Sequence, residues 1–226
     1  MERSLFIGFI PARTKDGNLN NKNFLEFGEI SLLDHKIDQL LAVKKLEKIL
    51  ISIDADFPYK RRESEKIEYI VRPAKFSELD CNFNSFCEYV AEIVPTSHVV
   101  WAPVTCPLVG SSLFDSAIDL FVESVPRGYD SLITCSLLKR YLLDESGPLN
   151  FRFYESMRAE AELPVLYEFI NAICISATTD LKKWKYNWGK VPFKFVLPKS
   201  VAIDICDEVD YRIAKRLIGL DDEIHN

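Results

Sequence analysis

The sequence has 226 residues, of which 48% are hydrophobic and 27% are charged, and its formal net charge is −6. Such a chain resembles an ordinary globular protein in composition and is long enough to bury a substantial core. Its basic residues are scattered, which argues against a nucleic-acid partner, since nucleic-acid-binding proteins usually carry a basic face. A single anionic substrate remains compatible, because its site needs only a few converging cations.

The N-terminal apolar run is too short to span a membrane, and no signal-peptide cleavage pattern follows it. The six cysteines show neither CxxC spacing nor clustering with the three histidines, so a structural zinc site is not expected. We therefore expect a cytoplasmic protein with reduced thiols and no membrane partner.

The predicted elements alternate between short β-rich runs and amphipathic helical stretches. Strands are predicted over residues 4–10, 48–53, 67–71, 98–101 and 131–135, and helices over about 31–46, 85–94 and 112–125. Ser31 can cap the first of these helices, and Ser112, with Asp115 three residues later, can cap the last. This alternation predicts an α/β fold with a mostly parallel sheet and helices on both faces.

The pattern weakens between residue 136 and about 166, where turn signals, aromatic residues and charges are mixed. We interpret residues 136–166 as an excursion from the sheet within a single domain over residues 1–226. Strands are predicted again over 169–175, 193–197 and 201–205. Asp207 is predicted to cap a last helix over about 208–218.

Polar and basic residues follow several of the predicted strands. In a parallel sheet, ligands bind beyond the carboxyl ends of the strands, so Arg13, Asp54, Arg72 and residues 103–107 should line one crevice. The chain lacks the glycine-rich phosphate loops. Arg13, Lys15 and Lys22 offer another way to hold a triphosphate, although a loop of solvated charges has the same pattern.

Six segments in order carry a family resemblance: FIPARTKDGNLNNKNFLEF, ILISIDAD, IEYIVRPAKFSELD, VVWAPVTCPLVGSSLFDSAIDLF, LPVLYEFINAICI and VAIDICDEVDYRIAKRLI. They resemble the CMP-sialic acid synthetases and related acylneuraminate cytidylyltransferases, which open with a strand, an A-R pair and a K-N pair. The resemblance covers nearly the whole chain. It implies a three-layer αβα fold with a Rossmann-like, mostly parallel central sheet of the nucleotide-diphospho-sugar transferase type.

The resemblance also implies a reaction. CMP would pass from CTP to the anomeric hydroxyl of a nine-carbon 2-keto sugar acid, with release of pyrophosphate and Mg²⁺ as cofactor. Its implied catalytic residues are Arg13, Lys22 and Asp204, of which the cations would neutralise phosphate charge and Asp204 would coordinate the metal.

The remaining implied roles concern binding. Besides Arg13 and Lys22, the nucleotide-binding residues are Ala12, Asn23, Arg72, Asn84, Ala102 and Pro103. The implied sugar-binding residues are Thr105, Tyr167, Phe169 and Asn171. Tyr154 joins the two aromatic residues as a candidate for the sugar pocket, although aromatic residues in strands are more often part of a core. Trp184 and Trp188 fit either a lid or a dimer contact.

The chain departs from the family at two places. The family closes with two aspartates at alternate positions, whereas here Asp204 is followed by Ile205 and Cys206, and a thiol is a poor ligand for magnesium. Asp207 or water would then complete the metal site. From the residues alone, Asp204 could equally be a structural carboxylate that accepts hydrogen bonds from neighbouring backbone amides. The second departure is Ala102, which stands where the family often has glutamine, and it predicts altered nucleotide or sugar preference.

Two alternatives stay open. The same fold could act on another nucleotide or a shorter acid such as an octulosonate, although the K-N ending at Lys22-Asn23 favours the sialic-acid branch. The second alternative is a non-catalytic binding protein that keeps the nucleotide fold but has lost its metal site. Cys206, which replaces the second aspartate, supports it. The resemblance further implies a homodimer in which residues 136–166 reach the sugar site of the partner.

Overall fold

The computed structural model describes residues 5–14, 21–57, 62–94, 98–152 and 163–224, with side chains described as far as residue 218. Its strands are β1 (Phe6–Pro11), β2 (Glu26–Phe27), β3 (Ile30–Ser31), β4 (Leu46–Ile53), β5 (Ile67–Val71), β6 (His98–Trp101), β7 (Ser131–Leu138), β8 (Leu143–Asp144), β9 (Gly147–Pro148), β10 (Leu166–Ala177) and β11 (Pro192–Val196). Its α-helices are α1 (Leu32–Leu41), α2 (Phe83–Ile93), α3 (Ser111–Ser124), α4 (Thr178–Trp184) and α5 (Glu208–Ile224).

Seven strands form the central sheet in the order β11-β7-β10-β6-β1-β4-β5. All neighbouring pairs are parallel except those of β10, which runs antiparallel to both β6 and β7. The mostly parallel α/β architecture predicted from the sequence is thus confirmed. Because the parallel strands all end at one edge, the loops that follow β1, β4, β5 and β6 meet there.

Helices cover both faces of this sheet. Ile37 of α1, Phe114 of α3 and Ala214 of α5 belong to the core on one face. Phe86 of α2 and Leu181 of α4 belong to the core on the other. Burial of each large apolar side chain contributes roughly 1.5–3 kcal/mol. This packing gives the strand ends a rigid support. None of the described helices combines the length and the apolar character that crossing a bilayer requires.

Some element boundaries differ from the predicted ones. Helix α1 ends at Leu41, because the Asp115 carboxylate accepts the backbone N–H groups of Lys44 and Lys45 (each 3.2 Å to Oδ1) and the chain then enters β4. Asp115 therefore binds a neighbouring loop and not the start of its own helix. Helix α3 begins after Gly110, with no side-chain cap.

The prediction of a strand over residues 201–205 was wrong. Only the N–H of Ile205 reaches a neighbouring segment, where it donates to the Thr105 carbonyl (2.8 Å), so the chain forms an irregular connection into α5. The short helix α4 was not predicted, since its seven residues offer fewer than two turns of periodicity.

The predicted excursion begins as an extension of β7 and includes a small hairpin of β8 and β9. The Asp144 carboxylate organises the hairpin turn by accepting the N–H groups of Ser146 (2.7 Å) and Gly147 (3.0 Å). The chain rejoins the sheet at Leu166. Residues 153–162, and with them Tyr154, lie outside the described residues.

Candidate active site

A cleft of about 290 Å³ opens where β1, β5 and β6 end. It is lined by Pro11, Arg13, Lys22, Arg72, Phe76, Cys81, Phe83, Phe86, Trp101, Pro103, Thr105, Asn171 and Asn187. Six of these residues (Arg13, Lys22, Arg72, Pro103, Thr105 and Asn171) are among the candidates that the sequence offered. Residues from distant parts of the chain therefore meet at one cleft, as the sheet topology requires.

A buried ion pair sits at the β4–β5 end of the cleft. The Arg72 Nε lies 3.5 Å from Oδ1 of Asp54, which is only 2% exposed, and the Arg72 guanidinium also donates to the Ser52 carbonyl through Nη2. The guanidinium lies over the Phe86 ring, 5.4 Å from its centroid. Arg72 is thereby held in one orientation beside the cleft.

The Asp54 carboxylate joins this ion pair to two loops. Its Oδ2 accepts the N–H (2.5 Å) and the hydroxyl (2.8 Å) of Thr14, and its Oδ1 accepts the Ser77 hydroxyl (2.5 Å). Burial acts to raise the pKa of Asp54, but the hydrogen bonds from Ser77 and Thr14 and the Arg72 charge outweigh it, so the pKa is lowered. Asp54 is thus ionised at neutral pH and ties the loops after β1 and β5 to the end of β4.

The loop after β1 is closed by a side chain. The Asn23 amide donates to the Arg13 carbonyl (2.5 Å), which joins the two ends of the loop, and the adjacent Lys22 side chain reaches the cleft from a buried position. Ala12 is fully buried and continues the pairing of β1 with β4 through its N–H to Ser52 (2.9 Å). Arg13 donates to the Glu78 carbonyl at 3.4 Å. Lys15 lies outside the described residues.

The segment after β6 forms another wall. Ala102 is fully buried, and its N–H donates to the Phe9 carbonyl (2.9 Å), while Pro103 and Thr105 line the cleft. Helix α1 holds this segment from below, because the fully buried Lys36 donates from Nζ to the Cys106 carbonyl (3.0 Å). The Gln39 amide likewise donates to the Pro107 carbonyl (2.6 Å).

Asp204 and Asp207 occupy different environments. The bond from Ile205 to Thr105 brings Asp204 beside Cys106; burial raises the pKa of that thiol, and the Asp204 charge raises it further. The Asp207 carboxylate instead accepts the N–H groups of Val209 (2.8 Å) and Asp210 (3.0 Å) at the start of α5. Asp210 reaches back to the N–H of Asp207 (3.3 Å), which completes a capping box.

These environments define what could hold a metal ion. Among the described residues, no three His, Cys, Asp or Glu side chains converge on one point. Asp207 is engaged by its helix, whereas Asp204 lies beside Cys106 in the segment that follows β6. Magnesium bound with a nucleotide takes most of its ligands from phosphate and water and needs one or two carboxylates. The donor set therefore fits a magnesium ion carried by phosphates and does not form an all-protein cage.

Several sequence candidates lie away from the cleft. Tyr167 and Phe169 are 46% and 43% exposed on β10 and do not line it, and the Tyr167 ring lies under Lys194 (5.7 Å to the centroid). Asn84 is exposed at the start of α2, where its amide donates to the Lys185 carbonyl (2.8 Å). These three side chains contact other parts of the protein and do not line the cleft.

Asn171 reaches the cleft because β10 is irregular beside it. The pairing of β10 with β7 shifts register between Phe169 and Cys174. The Thr134 hydroxyl fills this gap, since it donates to the Ile170 carbonyl (2.7 Å) and accepts the N–H of Ile173 (3.0 Å). A side chain from the middle of a central strand is thereby presented at the ligand edge.

Sequence reasoning missed the apolar and amide part of the lining. Phe76, Phe83, Phe86 and Trp101 carry ordinary core patterns, and nothing in their spacing separates a cleft wall from a core. Asn187 lies between two aromatic residues on the connection from α4 to β11, and it had no signal of its own. Ser77 could have been found, because it closely follows the Arg72-Pro73 pair.

Comparisons with known proteins agree with the fold and the motifs. No family model matches the sequence. The N-acylneuraminate cytidylyltransferase of Escherichia coli is 23% identical over 239 residues, which cover 99% of this chain and 56% of that protein. The chain thus spans about half the length of this curated relative.

Solved structures match at lower identity. CMP:2-keto-3-deoxy-manno-octonic acid synthetase, solved with CTP, has a TM-score of 0.65 at 10% identity, with 96% of this chain and all of that chain covered. The 4-diphosphocytidyl-2C-methyl-D-erythritol synthase of Anaerococcus prevotii has a TM-score of 0.63 at 13% identity, with 96% and 99% covered. A cytidylyltransferase of Leptospira borgpetersenii has a TM-score of 0.60 at 14% identity, with 96% and 88% covered.

The architecture is therefore the nucleotidyltransferase-type fold of cytidylyltransferases. Within that class, the alignment with the Escherichia coli protein over nearly the whole chain confirms the resemblance to the acylneuraminate cytidylyltransferases that the sequence motifs indicate.

Proposed function

We propose that the protein is a cytidylyltransferase that transfers CMP from CTP to the anomeric hydroxyl of a nine-carbon 2-keto sugar acid, such as an N-acylneuraminate. The observation that carries this proposal is the convergence of Arg13, Lys22, Arg72 and Asn171 on one cleft. Arg13 and Lys22 come from the first of the six segments that carry the family resemblance, Arg72 from the third and Asn171 from the fifth. The name of the Escherichia coli relative supports the same activity.

The proposed step forms one bond and breaks another. The anomeric oxygen attacks the α-phosphorus of CTP, the bond to the bridging oxygen breaks, and pyrophosphate leaves with the electron pair. The hydroxyl proton passes to solvent or to a phosphate oxygen. Little covalent chemistry is asked of the protein, so catalysis depends on position and charge.

Arg13 and Lys22 suit the charge that this step develops. Their cationic groups face the cleft from the two ends of one loop, where they would neutralise the departing pyrophosphate. Mg²⁺, held by Asp204 and by the phosphates, would supply further positive charge when bound. Arg72, fixed by Asp54, would position the nucleotide at the β4–β5 end.

We also propose that the protein acts as a homodimer. Leu137, Tyr167 and Val196 lie on one face of the β11-β7-β10 edge, as the strand register requires, and each is between 37% and 46% exposed. The hairpin that follows adds exposed leucines at 143 and 149. An apolar surface of this kind is typical of an interface. Light scattering that gives a monomer with full activity would contradict this proposal.

The test is pyrophosphate release with Mg²⁺ and CTP in the presence of sialic, legionaminic and pseudaminic acids and an octulosonate, with UTP, ATP and GTP as controls. We expect release with CTP and one nine-carbon acid. Arg13→Ala and Asp204→Ala should each lower the rate by roughly 100-fold or more. Arg127→Ala and Asp119→Ala, two exposed surface changes, serve as matched controls and should leave it unchanged.

The outcomes separate the alternatives. Release with the octulosonate alone would assign the shorter acid as the substrate. CTP binding without release for every acid would overturn the proposed activity and favour a nucleotide-binding protein.

A further inference from the structure

We propose that Asn187 is a specificity-determining residue, whose side-chain amide hydrogen-bonds a polar substituent of the acceptor sugar acid. This inference rests on the proposed function, because it assigns the ligand of the Asn187 end of the cleft. Neither the sequence motifs nor the family resemblance points to this residue.

The side-chain amide of Asn187 opens into the cleft and has no partner among the described residues. The residue is only 5% exposed and lines the cleft, and no hydrogen bond joins its side chain to any residue that the structure describes. The amide atoms are not among the fully enclosed polar atoms that lack a partner, so they meet the solvent of the cleft, and a ligand that displaces this solvent must replace its hydrogen bonds. A ligand in the cleft is the partner that this position lacks.

The segment that carries Asn187, residues 185–189, is fixed at both ends. Lys185 ends α4 in the left-handed conformation (φ 55°), and its carbonyl accepts the Asn84 amide (2.8 Å). At the other end, the N–H of Gly189 donates to the Ser131 hydroxyl (2.9 Å). A Cβ at position 189 would lie 2.5 Å from the Asp130 carboxylate, so glycine is required for this close approach.

Aromatic packing holds the segment between these ends. The Tyr186 ring lies 5.2 Å from Phe83, and the Trp188 ring lies 5.4 Å from Tyr186 and 6.0 Å from Phe169. The neighbours of Asn187 on both sides are thus pinned to the α2 side of the sheet. A polar group held in this way suits a recognition role, because little side-chain freedom is lost when it binds.

The chemistry of the amide indicates the ligand. Asn offers two N–H donors and one carbonyl acceptor, which match a hydroxyl or an acylamino group and carry no charge to compete with the phosphate-binding cations. Asn171 lines the same cleft with a second amide. A polyhydroxylated acid meets these requirements, and a site built for hydrogen bonds discriminates strongly against analogues that lack the group.

The experiment compares acceptor binding by the wild type, Asn187→Leu and Tyr186→Phe. The leucine keeps the volume without hydrogen bonds, and the phenylalanine is a matched control on the same segment that keeps its ring. Binding is measured by calorimetry on CTP-saturated protein in EDTA, with the nine-carbon acids and their monodeoxy analogues. We expect Asn187→Leu to bind the acceptor about 10- to 100-fold more weakly than the wild type. Its CTP affinity and melting temperature should be no lower than those of the wild type.

One deoxy analogue should bind the wild type more weakly than the parent acid does, but should bind Asn187→Leu as well as the parent acid does. The hydroxyl missing from that analogue is then the group that Asn187 recognises. Unchanged acceptor affinity in Asn187→Leu would overturn the inference while leaving the proposed transfer intact. Acceptor binding without CMP transfer when Mg²⁺ is present would overturn the proposed function alone. Failure of every acid to bind the wild type, or a melting temperature several degrees lower in Asn187→Leu, would also overturn the inference.

Discussion

The two ends of the cleft satisfy their polar groups in opposite ways. At the β4–β5 end, both oxygens of the Asp54 carboxylate are occupied by Thr14, Ser77 and Arg72, all within the protein. At the β10 end, the Asn187 amide lines the cleft and finds no partner in the part of the protein that the structure describes. The first end is finished within the protein, whereas under our proposal a ligand would complete the second.

This difference fits a division of labour between the substrates. A nucleotide triphosphate is common to the whole class, so a rigid charged network can be built in advance to receive it. The acceptor differs among the cytidylyltransferases compared above, and under the proposed function its recognition would rest on the amides of Asn171 and Asn187, which line the cleft. Changes in acceptor preference should therefore map to the β10 end and leave the Asp54 network unaltered.

Breaking the finished end should have the largest effect. Asp54→Asn removes a charge that Arg72 faces in a buried position, and loss of one partner of such a pair costs about 3–5 kcal/mol. The lowered pKa of Asp54 means that its contribution is present above about pH 4, the ordinary range of a carboxyl group, and is lost as pH falls through the folded-state value. Urea unfolding between pH 3 and pH 7 measures both effects. A variant as stable as the wild type at pH 7 would contradict the network.

Lys36 lies beneath the wall that joins the two ends, and its replacement should stabilise the protein. Burial lowers the pKa of Lys36 to about 8, so the folded state disfavours the charged amine. Stability should rise with pH between about 8 and the unfolded-state value near 10.4, because the unfolded chain there binds the extra proton. Lys36→Met should abolish this slope and add up to about 2 kcal/mol at pH 7, since the relieved desolvation of the charge is partly offset by loss of the hydrogen bond to the Cys106 carbonyl. Thermal unfolding of Lys44→Met, on the surface, is the control; a lower melting temperature for Lys36→Met would refute the expectation.

Loosening the acceptor end should have a smaller effect on stability and a clear effect on binding. Thr134→Val keeps the shape of the side chain and removes the hydroxyl that bonds Ile170 and Ile173, at a cost of about 1–3 kcal/mol. Displacement of Asn171 should raise the acceptor KM while the KM for CTP stays constant. Steady-state kinetics measures the two constants separately. An equal rise in both would show that the cleft does not divide as described.

The smallest effect is expected at the start of α5. Asp207→Ala removes a helix cap and should cost about 0.5–2 kcal/mol. Its rate of CMP transfer should stay close to wild type, in contrast to Asp204→Ala. If both variants lost activity equally and raised Mg²⁺ restored part of it, Asp207 would have to be assigned as a metal ligand.

The sequence predicted the fold better than the site. Alternating patterns specify the strands and helices of the sheet, and strand order then brings Arg13, Arg72 and Thr105 to one edge. Those patterns do not show which way an individual side chain turns. Tyr167 faces outward and Asp207 caps a helix, although their motif positions suggested binding roles. Asn187 could not be predicted from the sequence, because its proposed role depends on an amide without a partner among the described residues, and residue spacing does not encode that.

The irregularity in β10 has a consequence for motion. Between Phe169 and Cys174, the pairing of β10 with β7 is interrupted and the pairing with β6 has not yet begun, so one hydroxyl from Thr134 spans the gap. Backbone amides in such a stretch can exchange with solvent through small local openings without unfolding the sheet around them. Hydrogen–deuterium exchange should then find a weakly protected patch in the middle of a central strand. Protection of this patch should increase when an acceptor binds, so its exchange rate would measure how much of the protein has acceptor bound.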